Sequence, residues 1–192
     1  TVFGKGGHAA MPHRTIDPIV IASQIINSIQ TIISRSVDPV DKALISVTKI
    51  NAGSAHNVIS NEATFGGTIR TFRKETRSYI EDRIKEISVG IAKAHGAEVN
   101  IKFDLINKYP PTINSKKETK FASEVAKEVA GENNVFTDID PCMGGEDFSY
   151  LLEEKPGTYL FLGQGDDNHK ANVHTTKYDF NDNLLPIGVN FW

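Results

Sequence analysis

The sequence predicts a mixed α/β protein made of two parts, a ferredoxin-like βαββαβ unit and a piece of a larger α/β domain. In two segments of the first part, apolar residues recur at steps of three and four, which is typical of amphipathic helices. In three other segments, apolar and polar residues alternate and β-branched side chains are frequent, which is typical of half-buried strands. The paired prolines Pro110 and Pro111 interrupt these patterns, so we place the two parts at residues 1–112 and 113–192.

The first part has the order strand, helix, strand, strand, helix, strand. Asp17 and Pro18 predict a helix start, because an acidic N-cap precedes a proline at the first helical position. The second helix is predicted from Lys74 to His95, with Gly96 as its C-cap. Two helices on one face of an antiparallel sheet form the split βαβ arrangement, and its strands are predicted at 1–3, 43–50, 63–72 and 97–106. The stripes expected to face the core are Ile19, Ala22, Ile26, Ile29 and Ile33 in the first helix and Ile80, Ile84, Ile87, Ile91 and Ala94 in the second.

The second part has a different pattern, with one clear helix predicted from Lys116 to Ala130. The apolar seam of this helix is predicted to be Phe121, Val125 and Val129. Val135 to Ile139 and Thr158 to Leu162 are candidate strands, and Gly144 and Gly145 form a turn that opens a short helix. About 80 residues with so few strands cannot close a core alone, so this part is predicted to belong to a larger domain.

The two ends and the composition limit the class of protein. Thr1 to Phe3 has the pattern of a strand already under way, and the apolar segment from Pro186 to Trp192 stops without a cap, so we expect a piece of a longer protein.

Hydrophobic content of 39% with 23% charged residues is typical of a soluble globular domain, and no apolar run is long enough to cross a membrane. The net charge of −3 disfavours nucleic acid as a partner. The single cysteine, Cys142, excludes an internal disulfide and fits a reducing compartment, for which we predict the cytoplasm.

The glycine-rich opening, Gly4 to His13, is the first candidate for chemistry. Its glycines permit the close approach of another surface, and His8 follows them with a ring that can donate, accept, shuttle a proton or bind a metal. The segment is not a P-loop, which requires the pattern G-x-x-x-x-G-K-[ST]. From the residues alone, a tight turn with an incidental histidine ranks higher than a functional site.

Three other side chains are candidates on chemical grounds. His174 lies near Asp179 in the sequence, which suits a metal or an acid/base group. Arg70 lies on the polar face of a predicted strand and could bind a carboxylate through two hydrogen bonds. Glu146 is a candidate metal ligand. The common alternatives are a local hydrogen bond for His174, a surface salt bridge for Arg70 and helix-dipole complementation for Glu146.

Five ordered blocks of the sequence resemble the M20 family of metallopeptidases and amidohydrolases, in particular its hippurate hydrolase and N-acyl-amino-acid amidohydrolase branch, which includes auxin-conjugate hydrolases. The blocks are Gly4 to His13 with Asp17 and Pro18, Gly53 to Ile59, Gly67 to Phe72, Gly144 to Phe148, and His174 to Asp182. The resemblance implies that residues 1–112 are a lid domain that often mediates dimerisation. It also implies that residues 113–192 are the C-terminal part of a catalytic α/β domain that holds two divalent metals.

The same resemblance implies a role for each matching residue. His8 resembles the lid histidine that reaches an active site, commonly that of the partner subunit, and stabilises the tetrahedral oxyanion. Asn57 and Arg70 resemble the pair that holds the substrate carboxylate, although Ser60 stands where this branch usually has proline. Gly144 and Gly145 resemble residues that line the substrate site through their backbone N–H groups. His174 resembles a metal ligand.

The function implied for the intact protein is metal-dependent hydrolysis of the amide bond of N-acyl amino acids or small peptides, by a homodimer. The metals expected are zinc, manganese, cobalt or nickel, and neither nucleic acid nor a membrane is an expected partner. In the family, an upstream segment supplies most metal ligands and the general-base glutamate, so we predict that this chain alone is inactive. The alternative is a non-catalytic dimerisation or ligand-binding module derived from the lid.

Overall fold

The computed structural model describes residues 1–104 and 108–192 and confirms the mixed α/β class. The chain divides into two compact units. The first contains Thr1–Pro111 together with Met143–Gly145, and the second contains Thr112–Cys142 together with Glu146–Trp192. Within the described residues, no helix combines the length and the apolar character that crossing a membrane would require.

The first unit contains a four-stranded antiparallel sheet and two long helices. Its elements are β1 (Val2–Phe3), β2 (Gly7–His8), α1 (Pro18–Thr31), β3 (Ala43–Ala52), β4 (Val58–Ile59), β5 (Glu62–Thr71), α2 (Lys74–Ala94) and β6 (Glu98–Val99), with a 3₁₀ turn at Pro12–Arg14 and a π-helical turn at Ile32–Ser36. The strand order in the sheet is β3-β5-β1-β6, and every neighbouring pair is antiparallel. The sheet strands and the two helices thus follow one another in the predicted order. The last strand is shorter than predicted, and the end of the predicted segment, at 105–106, lies outside the described residues.

Strands β2 and β4 form a separate two-stranded ladder that the sequence does not predict. Both are only two residues long, and so short a pair offers too few alternating positions for a strand pattern to be visible. The ladder lies in the segments that carry His8 and Asn57. It therefore positions two of the predicted site residues.

The core of the first unit forms where α1 packs on the sheet and on α2. Its buried side chains include Ile21, Ile25, Ile29 and Ile32 of the α1 segment, which cluster with Val2, Ala63 and Ile80. The stripe predicted for α1 is confirmed at Ala22 and Ile29, which are buried, but it is wrong at Ile19, which is 43% exposed. The structure instead buries Ile21, which is only 2% exposed. Isoleucines occupy two adjacent faces of this helix, so spacing alone cannot select the buried one. In α2, Ile80 is buried as predicted, but Ala94 is exposed.

The N-cap predicted for α1 is present. One carboxylate oxygen of Asp17 accepts hydrogen bonds from the backbone N–H groups of Ile19, at 2.9 Å, and Val20, at 3.4 Å. We expect Asp17→Ala to lower the free energy of unfolding by about 1 kcal/mol, because it leaves these N–H groups without their acceptor. Asp17→Asn retains an acceptor oxygen and should preserve most of the stability. Urea unfolding of the three proteins measures the difference, and equal losses in both variants would contradict the capping role.

The second unit is helical and irregular, with α3 (Lys116–Ala130), α4 (Phe148–Glu154), α5 (Leu185–Phe191) and 3₁₀ turns at Glu132–Asn134 and Asp182–Leu184. The bounds predicted for α3 are confirmed, as is a short helix after the Gly144–Gly145 turn. The two candidate strands are wrong, since no strand occurs among the described residues of this unit. A strand exists only where a neighbour completes its ladder, and neither segment pairs with one. The seam predicted for α3 is wrong at Phe121, which is 68% exposed, whereas Ala122 is buried.

Candidate functional site

The glycine-rich opening runs along the segment that contains β4. His8 lies opposite Val58 in the ladder, and the backbone N–H of Gly6 donates to the side-chain oxygen of Asn61 at 2.9 Å. A Cβ atom on Gly6 would lie 2.6 Å from the backbone oxygen of Ile59, a distance that no side chain tolerates. The close approach expected from these glycines is therefore made within the chain itself. It fixes the backbone that carries His8.

The ring of His8 is exposed, and one of its two nitrogens accepts a hydrogen bond from the backbone. Its Nδ1 atom lies 3.0 Å from the backbone N–H of Ala10, which donates to it. A neutral imidazole that accepts at Nδ1 carries its proton on Nε2, so His8 presents a hydrogen-bond donor at Nε2. The next residue, Ala9, donates its N–H to the carbonyl oxygen of Asn57 at 3.0 Å. The structure thus brings His8 and Asn57 together.

Arg70 lies toward the opposite end of β5 from these two residues. In the sheet, Arg70 lies opposite Leu44 of β3. Asn57 and β4 come just before Glu62 in the chain, at the other end of β5. Eight residues of extended strand separate Glu62 from Arg70, which corresponds to about 26 Å. Within one chain, the structure therefore does not bring Arg70 to His8 and Asn57.

The guanidinium of Arg70 is instead next to Gly145, which belongs to the same compact unit. A Cβ atom on Gly145 would lie 2.7 Å from Cζ and 2.8 Å from Nη2 of Arg70, so the guanidinium occupies the place of a side chain. The ring of Tyr109 has its centroid 6.0 Å from Cζ of Arg70. Within residues 1–104 and 108–192, no carboxylate lies within ion-pair distance of this guanidinium. The surface salt bridge considered as the alternative for Arg70 is not observed there.

The residue that follows Gly145 is held by a tyrosine. The hydroxyl of Tyr159 donates to one carboxylate oxygen of Glu146 at 2.9 Å, and this hydrogen bond lowers the pKa of Glu146 below its usual value. The backbone of Tyr159 forms two hydrogen bonds with the side chain of Asn114, at 2.7 and 2.9 Å. Glu146 thus has a structural partner. The sequence gives no signal for this partner, because the two residues are thirteen positions apart in different elements.

His174 lies in an exposed loop of the second unit with an uncommon backbone conformation. Its φ angle of 64° makes it the single non-glycine residue with positive φ in the described part of the chain. Histidine is one of the few residues that adopt this region, and such strained positions cluster at functional sites. The backbone geometry is therefore consistent with a functional role for His174.

The loop that carries His174 is closed by a polar network around Gln164. The amide oxygen of Gln164 accepts from the hydroxyl of Tyr178 at 3.2 Å and from the backbone N–H of Asn181 at 3.4 Å. The buried side chain of Asn181 donates to the backbone oxygen of Gln164 at 3.2 Å and to Asp166 at 3.1 Å. Asp166 also lies 2.7 Å from Nδ1 of His169, and this bond lowers the pKa of its carboxyl group.

Sequence reasoning missed this network. The spacing of three residues between Asp166 and His169 is the signal that could have found its ion pair, but nothing in the sequence marks Gln164. These groups line part of an open cavity of about 870 Å³ in the second unit. They fix the two ends of the loop, and His174 lies between them.

Residues 6–192 match the sequence profile described as peptidase family M20/M25/M40. The chain belongs to this family. It is 40% identical to "IAA-amino acid hydrolase ILR1-like 2" of Arabidopsis thaliana over 98% of its length and 43% of that protein. It is 39% identical to "Hippurate hydrolase" of Campylobacter jejuni over its whole length and 49% of that protein. The chain thus spans about half the length of these curated relatives.

A solved structure shares the fold of this M20 chain. The Bacillus subtilis YXEP protein, described as a dinuclear metal binding peptidase from the M20 family, has a TM-score of 0.64 and 26% identity. The alignment covers 99% of this chain and 47% of that protein. The family that this chain belongs to is one of peptidases, and this relative of the chain is described as binding two metal ions.

The residues of this M20 chain do not by themselves fit a metal ion. Among the described residues, no group of three histidine, cysteine, aspartate or glutamate side chains is arranged to hold one. His174 is a single imidazole, and Glu146 is already hydrogen-bonded to Tyr159. A stable site needs three or four ligands. The described residues therefore contribute at most part of a metal site.

Proposed function

We propose that this chain is the lid and the C-terminal catalytic segment of an M20 amidohydrolase that hydrolyses the amide bond of N-acyl amino acids. The observation that carries the proposal is Arg70, a half-buried guanidinium with no carboxylate partner among the described residues and with Gly145 beside it. A guanidinium in this state can bind a substrate carboxylate through two charge-assisted hydrogen bonds. The relatives named for hippurate and IAA–amino acid hydrolysis support this substrate class, since each of these compounds is an N-acylated amino acid.

His8 is proposed to stabilise the oxyanion that forms on the amide oxygen. The Nε2 proton of its exposed ring is the donor, and the bond from Ala10 to Nδ1 fixes the tautomer that places the proton there. A donor aimed at developing negative charge lowers the barrier by about 3 kcal/mol. Asn57 lies beside it and is proposed to bind the substrate with its side-chain amide.

The separation of Arg70 from His8 and Asn57 supports a homodimer. About 26 Å of β5 separates Arg70 from Glu62, the end of the strand nearest Asn57, so one small substrate is not expected to contact both groups in the same chain. In a twofold-symmetric dimer, the surface that carries His8 in one copy can meet the surface that carries Arg70 in the other. We propose that each active site takes Arg70 from one subunit and His8 with Asn57 from its partner.

The metal ions are proposed to be held mainly by residues outside this chain. Bound divalent metals would polarise the amide carbonyl and supply an activated water. His174 is the one ligand that this chain is proposed to contribute, and its loop is held by the Gln164 network. Gly144 and Gly145 are proposed to line the substrate site through their backbone. The single cysteine fits the cytoplasm as the proposed location.

We expect the isolated 192-residue chain not to hydrolyse N-benzoylglycine, even with zinc, manganese, cobalt or nickel added. The reason is that His174 alone cannot hold a metal and that no group of three ligating side chains is arranged to hold one among the described residues. The longer protein should release glycine in a metal-dependent manner and stop when a chelator is added. Chromatography of released glycine measures both, with circular dichroism to establish that the isolated chain is folded.

Metal-dependent turnover by the isolated chain would contradict the proposed division of the active site. If the longer protein binds divalent metal and N-benzoylglycine without hydrolysing it, the alternative of a ligand-binding module is supported instead. If it forms a dimer and binds neither, the alternative of a dimerisation module is supported.

A further inference from the structure

The guanidinium of Arg70 is bordered by two groups, the ring of Tyr109, which the proposed function does not use, and the backbone of Gly145. The aromatic ring of Tyr109 lies 6.0 Å from Cζ, and the backbone of Gly145 lies where a side chain would otherwise be. Guanidinium groups stack favourably on aromatic rings, because the ring face is electronegative and the guanidinium is planar and weakly hydrated. Tyr109 and Gly145 form a seat for the guanidinium, which we call the Arg70 seat.

Tyr109 is fixed by the residues that precede and follow it. Lys108 forms an ion pair with Glu81 of α2, with its Nζ atom 2.9 Å from Oε1 and 3.1 Å from Oε2. Pro110 and Pro111 follow Tyr109, and two consecutive prolines restrict the backbone to an extended conformation. The segment can therefore hold the Tyr109 ring at a defined distance from β5.

Glu81 of α2, the ion-pair partner of Lys108, is bound by a second side chain. Glu81 is only 8% exposed, and Arg77, one turn earlier in the helix, donates to its Oε1 atom at 3.0 Å. Partial burial alone would raise the pKa of Glu81, but hydrogen bonds from Lys108 and Arg77 outweigh it, and the pKa is lowered. The carboxylate is thus charged at neutral pH, so the ion pair with Lys108 persists in the conditions in which an enzyme works.

We infer that Tyr109 is a positioning residue that sets the selectivity for substrates with a free carboxylate, by holding the guanidinium of Arg70 against Gly145. This inference rests on the proposed function, in which Arg70 binds the substrate carboxylate. An arginine side chain has many rotamers, and a ligand that must select one of them loses affinity. A guanidinium already held in the seat loses less freedom when the carboxylate binds.

The seat also explains why position 145 is glycine. A methyl group there would overlap the guanidinium, whose flexible side chain would have to move away. Gly145→Ala should therefore leave folding intact and displace Arg70. Tyr109→Leu should remove the stacking surface but keep a bulky apolar side chain at the position.

The experiment compares kcat/KM for N-benzoylglycine with kcat/KM for its amide, N-benzoylglycinamide, in the intact protein. The ratio of the two values reports recognition of the carboxylate. We expect Tyr109→Leu to lower this ratio about tenfold, mainly through KM, and Tyr109→Phe to keep it near the parent value because the ring remains. Tyr79→Leu is the matched control, since Tyr79 is an exposed tyrosine of α2.

Each outcome has a defined meaning. If Arg70→Ala leaves the ratio unchanged, the proposed function fails. If Arg70→Ala lowers the ratio but Tyr109→Leu does not, the proposed function stands and the positioning role of Tyr109 is overturned. An equal loss for both substrates in Tyr109→Leu would also overturn it, because that indicates general structural damage. Should Tyr109→Leu fail to fold, Gly145→Ala decides, and an unchanged ratio in that variant would overturn the seat.

Discussion

Replacing Arg70 with alanine should lower kcat/KM for N-acyl amino acids about 100-fold in the intact protein. The variant would lose the two charge-assisted hydrogen bonds that Arg70 is proposed to form with the substrate carboxylate, which together correspond to about 3 kcal/mol. Most of the loss should be in KM, because the carboxylate is bound equally in the ground state and in the transition state. Steady-state kinetics with N-benzoylglycine measures it.

Two controls separate carboxylate binding from a general loss of structure. N-benzoylglycinamide has no carboxylate, so its hydrolysis by Arg70→Ala should change far less than that of the acid. Arg83→Ala removes a half-exposed arginine of α2 that pairs with Glu86, and such surface pairs contribute about 0–1 kcal/mol. An equal loss for acid and amide in Arg70→Ala would contradict the role of Arg70 as carboxylate anchor.

Local signals predicted the two long helices and the long strands β3 and β5 of the first unit, because each depends on neighbouring residues. Asp17 caps α1 through N–H groups two and three residues away, and β3 and β5 show their alternation directly in the sequence. The buried face of α1 was not predictable in the same way. Ile19 and Ile21 have the same hydrophobicity, and only packing against Val2 and Ile80 decides which face is buried.

The second unit contains a segment with a strand-like sequence that has no neighbouring strand to pair with in the part of the chain that the structure describes. Thr158 to Leu162 has the composition of a strand, yet among the described residues it forms no ladder. Its Tyr159 instead forms backbone hydrogen bonds with the side chain of Asn114, which supplies one donor and one acceptor as a neighbouring strand would. Composition predicts the tendency of a segment to pair, but only the rest of the fold supplies the pairing partner.

In the candidate site, too, the residue types were predictable from the sequence, but their surroundings were not. Residue types and their resemblance to a family were enough to single out His8, Asn57, Arg70 and His174. The surroundings of each were not predictable, because they come from distant parts of the chain. Gly145 lies 75 positions after Arg70 in the sequence, and no local pattern connects a glycine turn with a guanidinium in a strand. The separation of Arg70 from Asn57 follows from the extended length of β5, in which Glu62 and Arg70 lie near opposite ends.

That separation leads to the second large prediction. His8→Ala should lower kcat about 100- to 1,000-fold, because it removes the donor proposed for the oxyanion, and such donors act mainly in the transition state. KM should change little. His13→Ala is the matched control, since His13 is an exposed histidine five residues away in a 3₁₀ turn. A similar loss in both variants would indicate damage to the segment rather than loss of a catalytic donor.

Mixing the two inactive variants tests whether the site is shared between subunits. When His8→Ala and Arg70→Ala subunits are unfolded together and refolded, half of the dimers should be mixed, and each mixed dimer contains one site with both His8 and Arg70. Activity should therefore return to about a quarter of the parent value. If His8 and Arg70 of one chain served the same substrate, every site in the mixture would lack one of them and no activity would return. The roughly 26 Å of β5 between Glu62 and Arg70 makes recovery the expected result, because one chain cannot place both groups on one small molecule.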